Sequence, residues 1–115
     1  MPLIKIQTNV QSDQETCEVL LKHASRILSE KLGKPIQYVQ AVLEPGVPMA
    51  FGGETSPTAF MEIRGLGLPS EAHVPVMAAL STVLKDLLAV EPDRVFANFT
   101  SLERSDWGWN GKTFV

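Results

Sequence analysis

The chain has 115 residues of ordinary globular composition, 44% hydrophobic and 20% charged, which predicts a single domain over residues 1–115 with its own core. Its formal net charge of −3 excludes an electrostatic basis for binding nucleic acid or an anionic membrane. One cysteine and two histidines exclude an internal disulfide and a Cys/His metal site, and we expect no cofactor. No long apolar run and no signal-type N-terminus is present, which predicts a cytoplasmic protein.

The first third of the chain reads as a strand followed by a helix. Residues 2–10 alternate imperfectly between apolar and polar positions, which favours a strand. Ser12-Asp13-Gln14-Glu15 fits a capping box, and the spacing that follows predicts a helix from about 13 to 32. Gly33 supplies a left-handed stop and Pro35 prevents the helix from resuming. The apolar stripe of this helix comprises Cys17, Leu20, Leu21, Ala24, Ile27, Leu28 and Leu32.

The middle of the chain contains two further strands. Residues 36–44 are rich in β-forming side chains and predict the second strand. A stretch rich in proline and glycine follows, from Pro45 through Pro57. Residues 58–64 predict a third strand that ends near Gly65-Leu66-Gly67.

A second helix and a fourth strand complete the repeat. Ser70 opens the helix, with Pro75 tolerable only near its first turn. Pro92 stops the helix, and Val95–Phe99 forms the fourth strand. The helix carries a second apolar stripe made of Val76, Met77, Leu80, Val83, Leu84, Leu87 and Leu88.

These elements predict an α/β fold, a doubled β-α-β unit whose four-stranded mixed sheet carries two helices on one face. Asn110-Gly111 is a favoured type I′ pair and predicts a short C-terminal hairpin. Such a sheet leaves its other face uncovered, and the tail carries Trp107, Trp109 and Phe114. We therefore expect the open face and the tail to pack against other subunits, with the tail adding a strand to a neighbour's sheet.

Pro2, directly after the initiator Met, is the candidate catalytic residue. Removal of Met1 would leave a secondary amine, and chain-terminal amines titrate much closer to neutral pH than lysine does. Burial or a nearby cation lowers such a pKa further, and a neutral amine near pH 7 is a competent general base. A proline at this position also occurs by chance.

Five blocks of the sequence stand in a distinctive order: Pro2, Gly33-Lys34-Pro35, Met49-Ala50-Phe51-Gly52-Gly53, Pro92-Asp93-Arg94-Val95 and Gly108-Trp109-Asn110. With these blocks the chain resembles the macrophage migration inhibitory factor family and its tautomerase relatives. The resemblance covers essentially the whole chain, and the Met-Ala-Phe-Gly-Gly block is specific when combined with the Trp-Asn-Gly-Lys-Thr-Phe ending.

The resemblance implies a homotrimer with active sites between neighbouring subunits. It also implies a keto-enol tautomerase of small aromatic 2-oxo acids such as phenylpyruvate, with Pro2 as the proton shuttle. By the same resemblance Lys34 contacts the substrate's carboxylate or carbonyl, the backbone N–H near Leu66 is a further donor, and Asn98 reaches across the subunit boundary. The aromatic positions of the pocket are Tyr38, Trp109 and Phe114, together with Phe96, where familiar animal members have tyrosine, and Trp107, where a smaller residue is usual.

Each of these residues has a structural alternative. Lys34 could complement the dipole of the preceding helix, and Asn98 could be a structural hydrogen-bonding residue. Trp109 and Phe114 could belong to a subunit interface. At the level of the whole protein, the resemblance also allows a cytokine-like binding protein with a receptor partner and secretion without a signal peptide. An RNA-binding sheet is the third alternative, but the acidic pI of about 5.3 argues against it.

Overall fold

The computed structural model describes residues 1–115 and shows two helices, a four-stranded sheet and a C-terminal hairpin. In chain order the elements are β1 (Leu3–Thr8), α1 (Gln14–Leu32), β2 (Gln40–Glu44), β3 (Ala59–Leu66), α2 (His73–Leu88), β4 (Val95–Leu102), β5 (Gly108–Trp109) and β6 (Lys112–Thr113).

The sheet confirms the doubled β-α-β unit. Its strand order is β2-β1-β3-β4, so the two halves meet in the middle of the sheet. Within each half the strands are parallel, β1 with β2 and β3 with β4, and the central pair β1 and β3 is antiparallel. A parallel pair requires a crossover connection, and α1 and α2 provide one for each half.

The core lies between one face of this sheet and the two helices. Alternate residues of β1 and β3 point into it, with Ile4, Ile6 and Met61 at most 1% exposed. From the helices it receives Leu20, Ala24 and Leu28 of α1 and Val76, Leu80, Leu84 and Leu88 of α2. Burying each large aliphatic side chain contributes roughly 1.5–3 kcal/mol, so this layer supplies most of the driving force for folding.

The other face of the sheet is uncovered, as predicted, and its central part is polar. The ammonium nitrogen of Lys5 lies 3.5 Å from a carboxylate oxygen of Glu44. The side-chain amide of Gln7 donates a hydrogen bond to the same carboxylate at 3.2 Å. On β3, a carboxylate oxygen of Glu62 lies 3.5 Å from a guanidinium nitrogen of Arg64. Charged and amide side chains of this kind are stable in water, so this part of the sheet needs no apolar cover.

Helix α1 ends where predicted, but its predicted capping box is wrong. The N-cap is Asp13 rather than Ser12, and the Asp13 carboxylate accepts the backbone N–H of Thr16 at 2.7 Å. Asp and Ser are about equally good N-cap residues. The sequence therefore does not decide which of the two adjacent residues caps the helix. At the other end Gly33 is left-handed at φ 65°, a conformation that suits glycine.

Several other element boundaries differ from the predictions. Residues 36–38 form a single 3-10 turn, so β2 begins only at Gln40, where pairing with Leu3 starts. Ser70–Ala72 form another such turn before α2, and α2 ends at Leu88, before Pro92, with Ala89 left-handed at φ 55°. Strand β4 continues to Leu102 because its ladder follows β3 to Leu66.

The tail forms the predicted hairpin. Asn110 and Gly111 both have positive φ, 53° and 77°, as a type I′ turn requires. The backbone N–H of Phe114 donates to the carbonyl of Arg104 and ties the tail to the turn after β4. Neither α1 nor α2 is long and apolar enough to cross a lipid bilayer.

Candidate functional site

Pro2 is buried at the end of the sheet where β1 begins. Its carbonyl accepts the backbone N–H of Gln40 at 3.1 Å, which places the start of β2 beside it. Because β3 runs antiparallel to β1, with Leu3 opposite Arg64, the last residues of β3 reach the same end. The chain terminus therefore lies where three strands converge.

A cavity of about 300 Å³ opens at this terminus. Its size is close to the lower limit for small-molecule sites, which typically range over about 300–1,000 Å³. A groove of about 290 Å³ between α1 and β2 is similar in volume but contains no candidate base. The residues lining the terminal cavity are Met1, Pro2, Gln37, Tyr38, Val39, Gln40, Trp107, Gly108 and Trp109.

The amine at the chain terminus belongs to Met1 in this structure, and its pKa is lowered. Burial is the larger cause, because it disfavours the charged form, and the positive charge of Lys34 is the second cause. Lys34 itself is half-buried and directly follows the left-handed Gly33 that ends α1. The end of the helix thus places a positive charge where it disfavours the charged form of the Met1 amine.

The wall of the cavity is aromatic. The rings of Tyr38 and Trp109 meet edge to face with centroids 5.8 Å apart. The ring of Phe114, which does not itself line the cavity, stacks on Trp109 with centroids 6.2 Å apart. Trp107 is half-buried and also lines the cavity. Aromatic rings favour such contacts with one another and with a planar ligand.

The structure does not bring every predicted site residue to this cavity. Lys34, Leu66 and Phe114 do not line it, although Leu66 ends β3 at the same end of the sheet. Phe96 lies towards the other end, and Asn98 lies near the middle, opposite Glu62, which pairs with Lys5. Phe96 pairs with Phe60, which pairs with Gln7. Since Gln7 is five residues from Pro2 along β1, the offset is about 16 Å in the strand direction. Within one chain, Phe96 and Pro2 cannot contact the same small molecule.

Phe96 instead has local contacts and a large exposed surface. Its ring packs on Phe51 with centroids 4.5 Å apart, yet the residue is 66% exposed. Asn98 is also exposed, beside Glu62 on the open face. Both side chains are therefore free to contact another molecule.

Sequence reasoning missed the short segment that closes one side of the cavity. Gln37, Val39 and Gln40 line it together with Tyr38. A parallel β-α-β unit brings the start of its second strand beside the start of its first, so residues just before β2 had to lie near Pro2. The β-α-β topology was therefore the signal from which the position of these residues could have been predicted. No group of His, Cys, Asp or Glu side chains is placed to hold a metal ion.

Comparison with known proteins identifies one family. The chain matches the family model "Macrophage migration inhibitory factor (MIF)" over residues 1–115. It is 34% identical over 115 residues to a macrophage migration inhibitory factor homolog of Trichuris trichiura, covering 99% of this chain and 100% of that protein. It is 31% identical over 116 residues to macrophage migration inhibitory factor of Meriones unguiculatus, covering 100% of both.

Solved structures give the same result. The fold superposes on a macrophage migration inhibitory factor homologue from Prochlorococcus marinus with a TM-score of 0.93 and 36% identity, covering 98% of this chain and 99% of that one. The macrophage migration inhibitory factor of Toxoplasma gondii gives a TM-score of 0.93 at 30% identity, covering 97% of this chain and 99% of that one.

Proposed function

The chain belongs to the macrophage migration inhibitory factor family, and on that basis we propose that it is a keto-enol tautomerase of aromatic 2-oxo acids. In this proposal Pro2 is the general base after removal of Met1. Family membership supports an isomerase-type activity. The observation that carries the specific proposal is the half-buried amine of Met1, whose pKa is lowered by burial and by Lys34, at a cavity with an aromatic wall. Removal of Met1 would make the Pro2 nitrogen the amine at this terminus.

The chemistry follows from these groups. The neutral Pro2 nitrogen removes a proton from the carbon next to the 2-oxo group, and the electron pair of that C–H bond shifts to give an enolate. Negative charge develops on the 2-oxo oxygen, where a cation or an N–H donor stabilises it. Lys34 supplies a positive charge for this oxygen or for the carboxylate, and Tyr38 and Trp109 receive the aromatic ring. Return of the proton to oxygen completes the enol.

We further propose that the active unit is a homotrimer with each site shared between neighbours. The offset of about 16 Å between Phe96 and Pro2 supports sharing, because Phe96 can belong to this site only if a second chain supplies it. The exposed fractions of Phe96 and Trp109, 66% and 50%, are large for aromatic side chains in water. Sedimentation equilibrium should give about 38 kDa, three times the chain mass of 12.6 kDa.

The proposed function is tested by phenylpyruvate ketonisation, followed by ultraviolet absorbance. The protein is first shown by intact mass to begin at Pro2. The Pro2→Gly variant should lose activity by a factor of about 100 or more, the usual contribution of a positioned general base. Pro48→Gly, in an exposed loop, is the matched control and should keep full activity. Full activity in Pro2→Gly would refute the role of Pro2.

A second candidate is a cytokine-like binding protein with a weak tautomerase site. Its support is the likeness over the whole chain to proteins named macrophage migration inhibitory factor. In that case cell-surface receptor binding should survive the Pro2→Gly substitution, whereas no binding by the wild-type protein would exclude this candidate.

A further inference from the structure

Two serines one turn apart on α1 use their hydroxyl groups differently. Ser25 donates to the carbonyl of Leu21 at 2.8 Å, four residues back, as serines within helices often do. Ser29 instead donates forward, to the carbonyl of Lys34 beyond the end of the helix. This second bond joins the last turn of α1 to the residue proposed to bind substrate.

The backbone carbonyl of Ser29 also contacts the Lys34 backbone, at the N–H group. The Ser29 carbonyl accepts the N–H of Gly33 and, at 3.0 Å, the N–H of Lys34. This is the arrangement by which a left-handed glycine normally ends a helix. Both polar backbone groups of Lys34 are therefore held by one residue. Pro35, at φ −60°, restricts the chain on the other side.

We propose that Ser29 is a positioning residue that fixes Lys34 beside the chain terminus, a role that rests on the proposed function of Lys34 and Pro2. A lysine side chain has four rotatable bonds, so the location of its ammonium group depends on how firmly its backbone is held. Without the Ser29 hydroxyl the Lys34 backbone is held only at its N–H, so its position is less firmly fixed and the ammonium group samples a wider region.

The hydroxyl can be removed without removing the helix cap. In Ser29→Ala the Ser29 carbonyl, and with it both bonds to Gly33 and Lys34, is retained. Alanine also has a higher helix propensity than serine, so α1 itself should not be weakened. The residues lining the terminal cavity include no carboxylate and no cationic side chain, and Tyr38 is their one titratable side chain. A change in the electrostatic potential at the chain terminus, measured as a shift in the pKa of the amine, therefore reports mainly on the position of the Lys34 charge.

The test compares Ser29→Ala, Ser29→Thr and Ser25→Ala in protein that begins at Pro2. The first readout is the pKa of the Pro2 amine, from NMR titration of ¹⁵N-labelled proline, which needs no enzymatic activity. The second is the division of any kinetic effect between KM and kcat for phenylpyruvate.

We expect Ser29→Ala to raise the pKa of the Pro2 amine and to raise KM by about threefold to tenfold, the factor equivalent to one hydrogen bond of ordinary net strength. Ser29→Thr keeps the hydroxyl and should behave as wild type. Ser25→Ala removes an equivalent hydroxyl that does not contact Lys34 and should change neither quantity.

The proposal is overturned if Ser29→Ala leaves both the amine pKa and KM unchanged. It is equally overturned if Ser25→Ala gives the same shifts, because the effect would then belong to the helix as a whole. Should the wild-type protein lack tautomerase activity while Ser29→Ala alone shifts the Pro2 pKa, the proposed function fails and the positioning role stands.

Discussion

Arg94 is predicted to be the main polar support of the loop between β2 and β3. Its guanidinium donates to the carbonyls of Phe51, Glu54, Ser56 and Pro57 at 2.9, 3.2, 3.0 and 3.2 Å. It also lies over the Phe51 ring, 5.0 Å from the centroid. Since Phe51 packs on Phe96, the loop also supports the exposed aromatic side chain proposed to reach a neighbouring site.

The size of the effect follows from these contacts. The bond to Phe51 is partly buried and charge-assisted, which suggests about 1.5 kcal/mol. The other three are exposed and contribute about 0.5 kcal/mol each, while the ring contact adds about 0.5 kcal/mol. We therefore expect Arg94→Ala to lower the free energy of unfolding by about 3.5 kcal/mol. Arg94→Lys should lower it by about 2 kcal/mol, because one ammonium group cannot reach four carbonyls.

Urea denaturation at a fixed protein concentration measures this difference. The control is Arg26→Ala, which removes an exposed arginine from α1 and should change stability by less than about 0.5 kcal/mol. A loss of less than about 1 kcal/mol in Arg94→Ala would refute the reasoning, since the carbonyls would then be satisfied equally well by water.

Three other predictions concern charge and backbone geometry. Burial and, to a smaller extent, Lys34 lower the pKa of the Met1 amine, and we expect the same for the Pro2 amine once Met1 is removed. Lys34→Ala should therefore raise the pKa of the Pro2 amine and move the acidic limb of the pH–rate profile to higher pH; an unmoved limb would contradict this. The Thr16 N–H lowers the pKa of Asp13, so the stabilisation that this carboxylate provides is present above its unfolded-state pKa and is lost as pH falls through the folded-state pKa. Asp13→Ala should therefore reduce stability to urea at neutral pH but not in strong acid, whereas an equal loss at both would contradict it. Ala89 is left-handed at φ 55° and exposed, so Ala89→Gly should stabilise the protein by about 0.5 kcal/mol, and a lower melting temperature would count against that.

The repeated pattern of the chain was sufficient to predict the fold. Apolar spacing and the Gly33 and Pro35 stop signals located α1, and two similar halves predicted the paired β-α-β units. The details that were predicted wrongly, the N-cap of α1 and the end of β4, depend on local interactions. Asp13 and Ser12 are equivalent as caps by residue type, and β4 reaches Leu102 only because β3 continues beside it.

The candidate site was only partly predictable. Pro2 could be singled out because a terminal amine has distinctive chemistry, whereas Lys34 and the tail aromatics were assigned to the site by the family resemblance. The contributions of Gln37, Val39 and Gln40 depend on the strand pairing that brings them beside Pro2. The forward hydrogen bond of Ser29 had no sequence signal, because serines in helices usually donate backward, as Ser25 does.

The most direct test of the central claim is the titration of the Pro2 nitrogen in protein that lacks Met1, using ¹⁵N-labelled proline. We predict an amine pKa below the ordinary value of about 8 for a chain terminus, and a higher value in Lys34→Ala. Tautomerase activity should follow the neutral fraction of this amine. A nitrogen that titrates like a solvent-exposed terminus, with the same pKa whether or not Lys34 is present, would contradict the account.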